Sequence, residues 1–305
     1  MGGGSFGHGL AVAAHRNGHR VTLWSRRTTV VNADVRTTQS EADLADSDVV
    51  FLAIPSEHVR AIAERVGTFL DGRHYLVHVS RGLVGDDLET LTRVLRDATP
   101  CRRVGALAGP LVADALENGR PSGAIVGTWF PEVADAVRSA LAGPNMRVEH
   151  TEDVIGVEIA SAMVGLFALG AGYLLGLHAE PAALSVYLTR GMEEATRLGT
   201  TLGADTRTFA GLAGFGDLIS AVAGDARPEV RLGQALAQGE DLRTAAERTG
   251  AYIEGVSIAS RVAAYGRRRA LRTPISGLLD DLVAGRMRPS EAVAGLALGG
   301  TSSRQ

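Results

Sequence analysis

The chain has 305 residues, 45% hydrophobic and 21% charged, which excludes disorder, collagen-like repeats and coiled coil and suits two domains of ordinary size. With 31 basic against 34 acidic residues the net charge is -3, which leaves no electrostatic footprint for nucleic acid or an anionic membrane. Every basic residue is arginine, so chemistry that needs a lysine amine is excluded, and the single cysteine, Cys101, excludes an internal disulfide or a cysteine-cluster metal site and fits a reducing cytoplasm.

In chain order, Met1 leads directly into Gly2-Gly3-Gly4-Ser5-Phe6-Gly7, without the basic start or apolar core of a secretory signal. The loop matches G-x-G-x-x-G. That spacing serves a tight turn, close approach of backbone to a pyrophosphate, and a helix N-terminus whose free N–H groups hold the anion. Gly2, Gly4, Ser5, Phe6 and Gly7 are therefore candidate cofactor-binding residues. A helix is expected from Gly9 to Asn17 and a short strand from Arg20 to Trp24. Such a loop normally follows the central first strand of its sheet, yet only Met1 precedes it. Either Met1 lies downstream of the true start, which is the reading favoured, or the sheet has an unfilled central slot with two exposed edges.

At the end of that strand stands Ser25-Arg26-Arg27, where an acidic residue would bond ribose hydroxyls. Arg26 and Arg27 suit the 2′-phosphate of NADP through charge-assisted contacts, with NAD possible; the alternative is a pair of solvated surface arginines. Further strands are expected at Asp48 to Ile54 (closed by Pro55), Tyr75 to Ser80, Arg103 to Leu107, Gly123 to Gly127 and Met146 to Glu149, with helices at Glu57 to Phe69 and Leu88 to Arg96. This alternation predicts an α/β, Rossmann-like, doubly wound parallel sheet whose first strand is missing.

Near residue 150 the pattern changes to helical periods over 153–177, 181–202, 227–238, 240–249, 256–269 and 290–297. The expected organisation is a dinucleotide-binding domain over 1–150, an all-α substrate domain over 151–298 and a disordered polar tail over 299–305. Ile159 to Leu177 carries no charge, but Gly165, Gly170, Gly172 and Gly176 and its charged flanks favour a buried core helix over a membrane span. The histidines are scattered without metal spacing, so no metal site is expected. His78, at a strand end, reads either as a cofactor-site residue or as a packed histidine, and His178 as a helix-end or surface residue.

GGGSFGHGLA, FLAIPSEHVR, HVSRGL, LAGPLVADALENGRPS, DVIGVEIASAMVG, TRGMEEATRLGTTLGAD, FAGLAGFGDL and YIEGV, in this order, resemble successive motifs of the bacterial NAD(P)-dependent glycerol-3-phosphate dehydrogenase family. The resemblance covers nearly the whole chain. It implies a Rossmann domain with a helical substrate domain, hydride transfer between glycerol-3-phosphate and dihydroxyacetone phosphate, a small-molecule substrate and a homodimer. Carried over by position, Ser5 and Phe6 contact the cofactor pyrophosphate, Pro55 lies beside the nicotinamide ribose, and Ala113, Ile253 and Glu254 line the cofactor. Arg81 replaces a substrate-contacting lysine, Gly109 keeps a family contact, and Asp217 keeps a substrate-side carboxylate able to act as a base only if burial raises its pKa.

The departures fall on the substrate side. The family's catalytic lysine falls at Val164 and its following asparagine at Gly165; a phosphate-binding Ser-Arg-Asn run falls near Arg227-Pro228-Glu229; Leu111 and Ala221 replace hydroxyl residues. Three readings therefore stand: a glycerol-3-phosphate-type dehydrogenase with a rearranged site, a reductase for another small carbonyl or alcohol, and a non-catalytic cofactor-binding paralogue.

Overall fold

Apolar stretches with strand and helix periods alternate over the first half and assemble as β-strands joined by crossover helices. The computed structural model describes residues 1–27, 31, 34–224, 227–251 and 254–298, with the side chains of 254, 255, 289, 290, 297 and 298 left out of the description. The chain divides into two compact units, residues 1–82 with 89–158, and residues 83–88 with 159–305.

In the first unit, α1 (Ser5–Arg16) leads to β1 (Thr22–Trp24), β2 (Arg36–Thr38) and β3 (Val49–Leu52). Then come α2 (Val59–Gly67), β4 (Tyr75–His78), α3 (Leu91–Ala98), β5 (Val104–Ala108), α4 (Ala113–Asn118), β6 (Ser122–Gly127), α5 (Pro131–Leu141) and β7 (Met146–Thr151). All five residues of β5 are buried, as a strand covered on both faces must be. Strands β1 and β2 pair as a parallel ribbon, while β3-β4-β5-β6-β7 form a separate five-stranded sheet. Within it β3, β4 and β5 are parallel, β6 runs antiparallel to β5, and β7 is parallel to β6. The sheet is thus broken between β1 and β3. Met1 and Gly2 cross the break: the Met1 amine donates to the Phe51 carbonyl at 2.6 Å, the Ala53 N–H donates to the Met1 carbonyl at 2.8 Å, and the Gly2 N–H donates to the Trp24 carbonyl at 2.9 Å.

The second unit is helical, with α6 (Val154–Gly176), in which the division between units falls, followed by α7 (Pro181–Thr201) and α8 (Thr206–Ala210). A π-turn over Leu212–Gly216 leads into α9 (Asp217–Val222), and α10 (Pro228–Ala237), α11 (Leu242–Thr249), α12 (Glu254–Arg269), α13 (Pro274–Val283) and α14 (Pro289–Leu298) complete the fold. Helix α6 is long and apolar enough to cross a membrane by length and composition, but 94% of its most apolar window is buried inside the protein. Its glycines allow close packing: a Cβ at Gly172 would sit 2.0 Å from the Val230 carbonyl oxygen of α10. The expected tail lies outside the described residues.

Candidate functional site

The glycine loop is built by contact. Gly2 has φ +105, and a Cβ there would lie 2.1 Å from the Ala53 carbonyl oxygen; a Cβ at Gly7 would lie 1.8 Å from the Gly2 carbonyl oxygen. Only glycine satisfies both positions. The loop therefore folds tightly over the end of β3 and delivers the chain into α1, which starts at Ser5, four residues earlier than its apolar pattern suggests. The cap residue Gly4 offers no side-chain acceptor to the first-turn N–H groups, and the first turn holds no acidic residue. Gly4 and Ser5 are exposed, while Phe6 is half-buried against the core. Free amides, the positive end of the helix dipole and an open backbone make this an anion cradle. The residues present thus fit a dinucleotide diphosphate.

The other expected cofactor-side residues sit at the carboxyl ends of neighbouring strands. Arg26 and Arg27 are exposed just beyond β1, with Ser25 buried beneath them; the Ser25 hydroxyl accepts the Arg27 N–H at 3.2 Å. Pro55 opens the turn after β3. The loop after β4 is latched to it: the Ser80 hydroxyl donates to the Ile54 carbonyl at 2.5 Å, and Gly82 packs so closely that a Cβ would lie 2.2 Å from Ser56 Oγ. Between these anchors Arg81 stands half-buried. After β5, Gly109 turns with φ +118, and Ala113 starts α4, its carbonyl oxygen against Gly9 of α1. Carboxyl ends of parallel strands are where ligands bind in such sheets.

Beneath this edge lies a cluster that the sequence did not reveal. Glu158, buried in the apolar α6, accepts the Thr92 N–H at 2.9 Å, the Thr92 hydroxyl, and a 2.9 Å contact from His78 Nε2. The carboxylate thereby caps α3, whose cap residue Thr90 makes no side-chain bond of its own. The available signal was Glu158 itself, since an acid in an apolar helix demands polar partners. His78 is a packed residue of this cluster.

In the second unit Asp217 is fully buried at the start of α9, and Arg227 is 6% exposed at the head of α10. The two form an ion pair, Arg227 donating to Asp217 Oδ1. Pro228 and Glu229 have a local role: proline needs no N–H at the first helical position, and an acid in the first turn suits the dipole. Val164 is fully buried in α6, and Ala221 is packed with Ala168 and Val230. His178 is exposed at the end of α6. Ile253 lies outside the described residues, and Glu254 is described only as the first residue of α12. Among the described residues no group of His, Cys, Asp and Glu is arranged to hold a metal ion.

The profile for the NAD-dependent glycerol-3-phosphate dehydrogenase N-terminus matches residues 32–134, and that for the C-terminus matches 153–294. The chain is 32% identical to the NAD(P)+ glycerol-3-phosphate dehydrogenase of Acidovorax sp. (strain JS42), covering 97% of this chain and 96% of that protein. This chain belongs to the NAD-dependent glycerol-3-phosphate dehydrogenase family. The corresponding protein of Synechococcus elongatus is 31% identical, over 96% of this chain and 93% of its own. The crystal structure of a glycerol-3-phosphate dehydrogenase from Coxiella burnetii superposes with a TM-score of 0.90 at 24% identity, covering 97% of this chain and 96% of that one, a likeness of fold.

Proposed function

We propose that this chain is an NAD(P)-dependent dehydrogenase that interconverts glycerol-3-phosphate and dihydroxyacetone phosphate, with NADP(H) preferred. The observation that carries the reading is the glycine cradle closed against Ala53 over an uncapped α1, in a chain matched to the family along its length. When bound, the coenzyme supplies or accepts the hydride. The first-turn amides of α1 hold its diphosphate, and Arg26 and Arg27 grip the 2′-phosphate with charge-assisted bonds. Arg81 is permanently charged, which suits it to anchoring a substrate phosphate and unsuits it to proton transfer. Arg227 neutralises the Asp217 carboxylate, so the pair stands as a fixed polar group on the substrate side. A cytoplasmic location and a homodimer belong to the same reading, supported by the lone buried Cys101 and by family membership.

Val164 has no proton to give, and no lysine exists elsewhere to replace it. General acid–base catalysis is worth about 10²–10⁴-fold, so turnover is expected to fall below that of lysine-bearing relatives by up to that factor. The test is calorimetry with NADPH and NADH, followed by NADPH oxidation with dihydroxyacetone phosphate. Tight NADPH binding with slow, saturable oxidation is expected. Binding without any oxidation would remove the dehydrogenase assignment, and no binding of either nucleotide would remove the whole reading.

A further inference from the structure

The loop after β4 carries Arg81, and its continuation does not fold with the sheet it leaves. Residues 83–88 belong to the compact helical unit, although β4 and α3 on either side of them lie in the first. Leu83 and Leu88 anchor this strap. Both are buried, and Leu88 holds φ +55, a left-handed backbone that a side chain disfavours and that its packing sustains. Between them Gly85 turns with φ +69, and the exposed tip carries Asp86 and Asp87.

Helix α12 grips the strap at its start and at its tip. Arg261 donates from Nη1 to the Leu83 carbonyl at 2.7 Å, across a separation of 178 residues. Further along α12, Arg268 donates to the Asp86 carbonyl and lies 3.8 Å from Asp87 Oδ1, with Arg269 at 3.7 Å from the same oxygen. The pairs at the tip are exposed and contribute little. The Arg261 bond is different in kind. Leu83 is fully buried, so its carbonyl needs a partner, and a charged donor supplies one.

Arg81 is thereby held from both sides. Ser80 before it is latched to the Ile54 carbonyl at 2.5 Å, Gly82 after it is pressed onto Ser56, and Leu83 is pinned by Arg261. With the backbone fixed around it, the direction in which the Arg81 side chain leaves the chain is set. That matters more for arginine than for lysine. An ammonium is a point charge with freely turning donors, whereas a guanidinium grips phosphate oxygens through two N–H groups in one plane and must arrive in the right orientation.

We propose that Arg261 is a positioning residue of the dehydrogenase: by holding the Leu83 carbonyl it fixes the orientation in which Arg81 meets the substrate phosphate. The proposal rests on the reading of Arg81 as the phosphate anchor. Calorimetry of dihydroxyacetone phosphate on the NADP+ complex tests it, since both partners are oxidised and bind without reacting. Arg261→Met keeps most of the side-chain stem and loses the donors. It is expected to weaken dihydroxyacetone phosphate binding by about tenfold, to leave NADP+ affinity unchanged, and to speed amide exchange over residues 82–86 by a similar factor. Arg261→Lys retains one charged donor and is expected to recover most of the affinity. In an Arg81→Ala background, Arg261→Met is expected to add nothing, because the group it positions is gone. Should Arg261→Met fold poorly, Arg268→Gln with Arg269→Gln, both at the exposed tip, is expected to weaken binding in the same sense by about two- to threefold. If Arg81→Ala weakens binding while both strap variants leave it unchanged, the positioning role is overturned. Independent, additive losses from Arg81→Ala and Arg261→Met would overturn it too and place Arg261 in the scaffold. Arg81→Ala without effect, or no binding by the unaltered chain, would overturn the phosphate anchor itself and this proposal with it.

Discussion

Arg26 and Arg27 stand exposed just beyond β1, at the strand end where a dinucleotide's adenosine ribose is held in such sheets. Charge-assisted hydrogen bonds contribute about 1.5–3 kcal/mol each, so replacing both by alanine is expected to weaken NADPH binding by roughly 10²–10⁴-fold and leave NADH binding nearly unchanged. Calorimetry with the two nucleotides reads the ratio directly; no loss for either would assign the arginines to the surface, and an equal loss for both would move them off the 2′-phosphate. Gly7 gives a second, steric prediction. Gly7→Ala places a methyl inside the Gly2 carbonyl, so the variant is expected to lose coenzyme binding entirely. The glycine turn was legible because the glycine spacing is a local demand of backbone on backbone. The Glu158, Thr92 and His78 cluster was not legible, because its members are separated by 66 and 80 residues and only the fold brings them together.

Among the elements, α13 depends on a carboxylate from α7. Glu194 is fully buried and accepts the Ile275 N–H at 2.7 Å, the Ser276 N–H at 2.9 Å and the Ser276 hydroxyl at 2.5 Å. Pro274 lacks an N–H, so the acid serves the next two donors in line. Despite these bonds, burial raises the Glu194 pKa above its ordinary 4.5. The native state then holds its proton where the unfolded chain has released it, so this group's stability is present below pH 4.5 and declines as pH rises through the folded value. Glu194→Gln is expected to remove that slope and to cost about 1–3 kcal/mol, because an amide presents one acceptor and a misplaced donor to three N–H and O–H groups. Urea titrations between pH 4 and 8 check both. The buried Asp217–Arg227 pair joins α9 to α10, and Arg227→Ala strands a charge, for an expected loss of about 3–5 kcal/mol. The long helices were legible from period alone, 153–177 against Val154–Gly176 for α6. Helices α5 and α13 are harder to read, although Val133, Val137 and Leu141, and Ile275, Leu278, Leu279 and Leu282, keep helical spacing; each begins at a proline that reads first as a loop.

Over the whole molecule, the two-part architecture was readable from element order, because alternating strand and helix periods give way near residue 150 to helical periods alone. The reversal of β6 against β5 was not readable: a buried apolar run carries no mark of its direction. The break between β1 and β3 has an electrostatic consequence for the 305-residue chain. Without lysine, its sole amine is at Met1, buried and lowered from 8.0 to about 5 by desolvation. Between those values the unfolded chain binds a proton that the native chain refuses, so stability rises with pH from 5 to 8. Lowering a pKa by one corresponds to about 1.4 kcal/mol, giving at most about 4 kcal/mol over the window, opposite in sign to the Glu194 contribution at lower pH. An amine-reactive ester offers an independent check. The native chain is expected to label at the slow rate of local opening and the urea-unfolded chain at once, at one site only, whereas rapid labelling of the native chain at pH 7 would place the amine in solvent and remove the predicted slope.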